Sequence, residues 1–316
     1  MQNEVKQLQQ AAPTKKLLVI GDVMLDVYVE GAVHRNSPEA PVPVLSKDRS
    51  YHCVGGAANV SLNLNALGAQ TTLLSVVGDD ADGELLSALL DEENIEHELY
   101  KDTTRQTTVK KRFMNGSEHL LRVDSEDTHP VIADIYQSLL AFVSDSISDF
   151  TGIVISDYDK GLMAEPFIKE IISIGRSHNL PIYVDPKYKN FWSYAGCSIF
   201  KPNLYELQTA LAGKVDIQDM MNTAHKRLQG ATIVCTQGAE GMHYRSSEDT
   251  GSVSGLSIDV TDVSGAGDTA LAMLALADQC RLDIKMCCDL AKTASGQVCT
   301  MKGVASVSLE EVLAMV

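Results

Sequence analysis

The chain has 316 residues, is 45% hydrophobic and carries a formal net charge of -16. That length and apolar share support one large α/β domain, alone or with a small lid. The acidity argues against wrapping nucleic acid or lying on an anionic membrane, so a phosphate compound would have to be met by a local basic cluster. Residues 1–12 are polar and glutamine-rich, without the apolar core of a signal segment, and suggest a loose or peripheral arm over residues 1–14.

Residues 16–20 form a short apolar run closed by Gly21, the pattern of a buried parallel strand. The next stretch, Gly21-Asp22-Val23-Met24-Leu25-Asp26, lacks Gly-x-Gly-x-x-Gly, which disfavours the usual dinucleotide fold. Asp22 and Asp26 fall at or just beyond the strand's carboxyl end, where open α/β sheets bind ligands. They read equally as ligand contacts and as turn aspartates. Pro38, Pro41 and Pro43 rule out a helix in residues 28–50 and fit extended strands outside the main sheet. Gly55-Gly56-Ala57-Ala58-Asn59 opens a helix with apolar positions Val60, Leu64 and Leu67 and with Gly68 at its C-terminal cap. The paired glycines let a ligand lie against the backbone, and Asn59 can bond its hydroxyls.

Residues 71–77 read as a second strand and 82–92 as a helix. Residues 107–113 and 119–124 flank Asn115-Gly116, a hairpin turn signal. The hairpin carries Lys110, Lys111, Arg112 and Arg122, either a grip for a substrate phosphate or a solvated strand face. Residues 28–50 and 99–124 together are expected to form a small β lid. From residue 132 onward strand, polar loop and helix alternate, which predicts a mostly parallel sheet covered on both faces. Its polar loops share one edge, so Asp22, Asp157, Lys187, Asn203, Glu206, Thr236 and Asp268 can converge.

In Asp262-Val263-Ser264-Gly265-Ala266-Gly267-Asp268-Thr269 a glycine-rich loop turns directly into an apolar helix. Successive N–H groups there, with the positive end of the helix dipole, make an anion site. Asp268 is then either a helix cap or a base beside the anion. The seven cysteines are odd in number and lack Cys-x-x-Cys spacing, as expected for reduced thiols in a cytoplasmic protein. No stretch is long and apolar enough to span a membrane, and no Walker A motif or structural-zinc spacing occurs.

Four ordered motifs over residues 15–310 resemble the ribokinase-like carbohydrate kinases, the PfkB family. They are Gly55-Gly56-Ala57-Ala58-Asn59, Asn203-Leu204-Tyr205-Glu206, Thr236-Gln237-Gly238-Ala239-Glu240-Gly241 and residues 262–268, where Ser264 replaces a commoner threonine. The resemblance implies a three-layer α/β/α kinase domain over residues 15–316, with Asp268 as base and the amides of Gly265, Ala266 and Gly267 as its anion cradle. It implies ATP along Thr236, Gly238, Gly241 and Lys292, with Lys187 on its phosphates, and Mg²⁺ reached from Asn203 and Glu206 through water. The sugar would contact Asp22, Asp26, Gly55, Gly56, Asn59, Asp157 and Lys160, and a sugar phosphate would meet Lys110, Arg112 and Arg122. A homodimer through the lid is implied, and the family admits a monovalent cation near Asp262.

Residues 21–26, Ser37-Pro38-Glu39-Ala40-Pro41-Val42-Pro43-Val44 and Ser156-Asp157-Tyr158-Asp159-Lys160-Gly161 resemble one branch of the family. Its members phosphorylate D-glycero-β-D-manno-heptose 7-phosphate at the anomeric oxygen. Related chains often continue into a nucleotidyltransferase domain, whereas this one resembles the kinase part alone. A kinase for another phosphorylated sugar or a nucleoside, or a non-catalytic sensor on the same fold, are the alternatives.

Overall fold

The computed structural model describes residues 2–116, 118–213 and 216–316. Its strands are β1 (Lys16–Gly21), β2 (Val23–Asn36), β3 (Pro43–Gly56), β4 (Gln70–Gly78), β5 (Glu96–Asp102), β6 (Val109–Asn115), β7 (Glu118–Ser125), β8 (Gly152–Ser156), β9 (Ile182–Asp185), β10 (Ile199–Phe200), β11 (Thr232–Thr236), β12 (Gly241–Arg245) and β13 (Thr250–Ser254). The helices are α1 (Gln2–Ala11), α2 (Ala57–Ala66), α3 (Ala81–Glu92), α4 (Ala133–Ser146), α5 (Glu165–Ser177), α6 (Leu204–Ala210), α7 (Ile217–Arg227), α8 (Ala266–Gln279), α9 (Ile284–Cys299) and α10 (Leu309–Leu313).

The main sheet runs β13-β12-β11-β10-β9-β8-β1-β4-β5. Every pair from β11 to β5 is parallel, and only the β11–β12 and β12–β13 pairs are antiparallel, so β12 alone runs against the rest. Side chains of one strand alternate between two cores, as strand geometry requires. Leu17, Val19, Leu73 and Val154 pack on one face with α2, α8 and α9. Leu18, Ile20, Ile153 and Ile155 pack on the other with α4, α5 and α7. Covering both faces makes the central strands almost wholly apolar, and it yields the three layers read from the sequence.

The second sheet has the order β3-β2-β6-β7. It is longer than the expected lid, because β2 starts at Val23, one residue beyond β1, and β3 runs on to Gly56. Residues 99–102 are not part of it. They lie in β5 and pair with β4, Leu99 opposite Ser75. Pro38 and Pro41 fall between β2 and β3, and Pro43 opens β3, an edge strand where a missing donor costs no ladder bond.

The N-terminal arm departs from its expected looseness. Residues 2–11 form α1, Leu8 and Ala12 are buried in the core, and the Gln7 side-chain amide donates to the Cys280 carbonyl at 2.6 Å. All seven cysteines are free thiols, five of them buried. Among the described residues no helix is long and apolar enough to cross a membrane.

Candidate active site

The carboxyl ends of β8, β9, β10 and β11 face the start of α8. Gly265 precedes that helix in a left-handed conformation, φ 82°. A Cβ there would lie 2.6 Å from Asn59 Nδ2, so glycine is required by both backbone angle and space. The first i→i−4 bond of the helix runs from the Thr269 N–H to the Gly265 carbonyl at 2.9 Å. The amides of Gly267 and Asp268, in the open first turn, can therefore serve an anion. A Cβ on Gly267 would sit 3.8 Å from both Asp185 Oδ2 and Lys201 Nζ, so this residue looks into the space between them.

Asp268 is 5% exposed. Tyr158 Oη donates to its Oδ1 at 2.6 Å, and Asn59 Nδ2 donates to its Oδ2 at 2.8 Å. Burial pushes its carboxyl up to about 6, with Asp185 adding to the rise. Tyr158, Asn59 and Lys201 oppose it. A cavity of about 160 Å³ joins Asp268, Gly265 and Gly267 to Lys187, Asn203, Glu206 and Thr236. On its wall Lys187 Nζ meets Glu206 Oε1 at 2.5 Å, and Lys201 Nζ meets Asp185 Oδ2 at 2.9 Å. Asn203 caps α6 in a reciprocal box with Glu206, whose Oε2 accepts the Asn203 N–H at 2.9 Å. The Asn-x-x-Glu motif is thus also a helix start.

Two larger cavities flank this one. The first, about 470 Å³, collects Thr236, Gly238, Gly241, Ala266 and Lys292 with apolar Leu256 and Ile258. Its size and mixed lining suit a nucleotide. Lys292 is already paired with Asp289, at 2.9 Å. The second, about 500 Å³, lies between the lid and residues 260–264. It collects Arg112, Arg122, Tyr28, His119 and Lys302. Arg112 and Arg122 are directly opposed on β6 and β7, which puts both guanidinium groups on one sheet face. Arg112 is ion-paired with Asp26 and lies 5.1 Å from the Tyr28 ring. Asp26 sits within β2 rather than at the end of β1, and its carboxylate packs where a Gly55 side chain would be, 2.2 Å from an added Cβ. Gly56 ends β3 just ahead of α2. Lys110 Nζ stands 5.5 Å from the Tyr158 ring, and its ammonium pKa is lowered by burial.

Three expected sugar contacts lie elsewhere. Asp22 is 4% exposed, and its carboxylate accepts the N–H groups of Tyr158 (2.9 Å), Lys160 (3.1 Å) and Leu162 (3.4 Å). It shapes the loop after β8 instead of facing a ligand. Asp157 accepts the Tyr194 hydroxyl at 2.7 Å and the Asp159 N–H at 2.8 Å, and faces a separate cavity with Lys189 and Asn190. Burial, reinforced by Asp22, pushes its carboxyl up to about 7. Lys160 pairs with Glu126 at 2.8 Å, beyond the end of β7. Asp22 and Asp157 meet the rule that ligand contacts stand at or just beyond a strand's carboxyl end. That rule locates a residue without fixing which way its side chain turns. The same rule, applied to the last residue of β9 and the first after β10, would have found Asp185 and Lys201. Tyr158, between two aspartates, carries no composition or spacing signal of its own.

An anion-binding helix start, a buried carboxylate beside it and an adjoining nucleotide-sized cavity define a site built for group transfer to or from a phosphate. The pfkB family carbohydrate kinase model matches residues 14–311. The chain belongs to this family and is a sugar kinase. It is 37% identical over 322 aligned residues to the bifunctional protein HldE of Hyphomonas neptunium, covering 99% of this chain and 66% of that protein. It is 36% identical over 303 residues to the bifunctional protein HldE of Helicobacter pylori strain G27, covering 94% and 65%. The chain thus spans just under two thirds of the length of these curated relatives. Among solved structures, the tetrameric inhibited form of phosphofructokinase-2 from Escherichia coli superposes with a TM-score of 0.78 at 16% identity, covering 95% of this chain and 97% of that one. Arabidopsis thaliana ribokinase complexed with ribose and ATP gives 0.71 at 17%, covering 95% and 98%. At these identities the likeness establishes the ribokinase-like fold alone.

Gly265→Ala tests the local design. The positive φ costs about 1–2 kcal/mol for a residue with a Cβ, and the new methyl displaces the Asn59 amide from Asp268. The variant should melt about 2–3 °C lower (roughly 1.5 °C per kcal/mol for a chain of this size). An unchanged melting temperature would show that the loop has no such constraint.

Proposed function

We propose that the enzyme transfers the γ-phosphoryl group of ATP to the anomeric hydroxyl of D-glycero-β-D-manno-heptose 7-phosphate. The product is heptose 1,7-bisphosphate, on the route to ADP-heptose for the lipopolysaccharide inner core, and the setting is the cytoplasm. The observation that carries this reading is that residues 262–268 join two cavities: Asp268 lines the one at the start of α8, and Asp262, Val263 and Ser264 line the lid cavity that holds Arg112 and Arg122, in a chain of net charge -16. The three sequence stretches shared with the heptose branch and the identity to proteins named HldE support the choice of sugar.

In this reading Asp268 takes the proton of the sugar O1 as the phosphoryl group arrives, and the amides of Gly267 and Asp268 hold the growing negative charge, the expected Ala266 amide being engaged by the Val263 carbonyl at 3.3 Å. Lys187 and Lys201 sit where ATP phosphates would lie. Thr236, Gly238, Gly241 and Lys292 follow the nucleotide, and Gly55, Gly56, Asn59 and Asp26 hold the sugar. Arg112, Arg122 and Lys110 meet its 7-phosphate, as arginine forks suit phosphate geometry. Both Glu206 oxygens already accept bonds, one from Lys187 and one from the Asn203 N–H, and among the described residues no cluster of three metal-ligating side chains occurs. These donors fit a hydrated Mg²⁺ held by Asn203 and Glu206 through water, where it would neutralise charge on the ATP phosphates. A monovalent cation near Asp262 has no further support: that carboxylate accepts the Ser264 and Gly303 N–H groups at 2.9 and 3.0 Å. The outer lid face exposes Leu121 and Val123, which suits pairing with a second copy.

ADP release with the phosphorylated heptose, compared with the same sugar lacking its phosphate, tests the substrate. Activity on neither would sink the proposal. Asp268→Asn should lose turnover by several orders of magnitude while keeping ATP binding. In the native enzyme the carboxyl is raised, so its inactive protonated form persists to a higher pH than in an ordinary aspartate. Turnover should fall as pH drops through about 6, and a rate still flat well below that would contradict the base role. Arg122→Ala is a cleaner test of the phosphate grip than a change at Arg112, whose loss strands the buried Asp26. It should raise KM for the phosphorylated sugar about tenfold and leave KM for ATP unchanged. Equal loss for both substrates would make the residue a structural part of the lid.

A further inference from the structure

Tyr158 stands at a junction that the reading above leaves without a role. Its hydroxyl donates to Asp268 Oδ1 at 2.6 Å. Its ring lies 5.5 Å from Lys110 Nζ, which comes from the lid strand β6, and 5.7 Å from Lys187 Nζ, which comes from the loop after β9. Its own backbone is pinned, because Asp22 accepts the N–H groups of Tyr158, Lys160 and Leu162. One side chain therefore meets the base, a lysine on the sugar side and a lysine on the phosphate side.

We propose that Tyr158 is the positioning residue of the base: its hydroxyl clamps Asp268 in its reactive, ionised orientation, while its ring seats Lys110 and Lys187 beside the same carboxylate. The proposal rests on Asp268 acting as the base. Each carboxylate oxygen offers two acceptor sites. Tyr158 takes one on Oδ1 and Asn59 one on Oδ2, so each oxygen keeps a site for the proton of the sugar hydroxyl. In a buried position the ionised form is costly unless hydrogen bonds to it offset the loss of water.

The groups facing Asp268 are Tyr158 from the loop after β8, Asn59 from α2, Asp185 from the end of β9 and Lys201 from the residue after β10. Those facing Tyr158 are Asp268, Asp185 and Asp26, with the ammonium groups of Lys110 and Lys187. Burial, then the nearby carboxylates, drive the Tyr158 phenol well above its usual value. It therefore stays a protonated donor, and the proton leaving the sugar goes to Asp268.

Tyr158→Phe removes the hydroxyl and keeps the ring, and Tyr158→Leu removes both. Initial rates would be measured across the acid limb with each substrate varied. The phenylalanine variant should lose about tenfold or more in kcat, its acid limb should move up by about one pH unit, and both KM values should hold. The leucine variant should raise both KM values as well. Fluorotyrosine placed at position 158 alone, a stronger donor of the same shape, should move the limb the other way. A phenylalanine variant that melts like the native protein and keeps its kcat and acid limb would overturn the proposal. So would a fall in kcat with no movement of the limb in either substituted protein, which would make Tyr158 a structural prop. Failure of the base assignment itself reads differently, as an Asp268→Asn protein that still turns over.

Discussion

One buried carboxylate governs the design. Asp268 is nearly without solvent, yet its proposed role as base needs it charged. The protein meets that demand with two donors, the Tyr158 hydroxyl and the Asn59 amide, and with the nearby ammonium of Lys201. These come from three different parts of the chain, and the crossovers of a parallel sheet bring their loops to one edge. Folding the sheet and surrounding this carboxylate with its donors are therefore the same event. Gly265 belongs to this arrangement too, because the space a side chain would occupy is filled by the Asn59 amide.

Charge is distributed with similar economy. A chain of net charge -16 repels nucleotides and sugar phosphates at long range, and it reverses that sign locally. Lys187 and Lys201 pair with Glu206 and Asp185 beside the start of α8, and Arg112 pairs with Asp26 on the lid. Each cation is thereby held in place before a ligand arrives, so little ordering remains when an anion binds. Arg122, more than half exposed, is the freer member of the lid group.

Much of this was legible in the residues, and the failures have physical causes. The parallel sheet could be read because strands buried on both faces are apolar throughout, as in residues 16–20. The start of α8 could be read because glycine, small residue and acid in that order suit few backbones other than an anion-binding turn. The extent of β2 could not be read, because the chain passes from one sheet to the other across Asp22 alone, with no turn signal between. β12 and β13 are short and half polar, so their pairing leaves no apolar run. α1 docks chiefly through Leu8, which a polar composition conceals. Asp22 and Asp157 show the remaining limit: sequence position brought them to the correct sheet edge, but the hydrogen bonds that turn them inward come from Tyr158, Lys160, Leu162, Tyr194 and Asp159, and only three-dimensional proximity reveals those.

The most direct trial is a structure of the protein with a non-hydrolysable ATP analogue, Mg²⁺ and heptose 7-phosphate. The account predicts an Asp268 oxygen within about 3.2 Å of the anomeric O1, the terminal phosphate on the amides at the start of α8, and the sugar's own phosphate against Arg122. A complex in which Asp268 meets only Tyr158 and Asn59, with a different sugar hydroxyl turned toward the terminal phosphate, would contradict it.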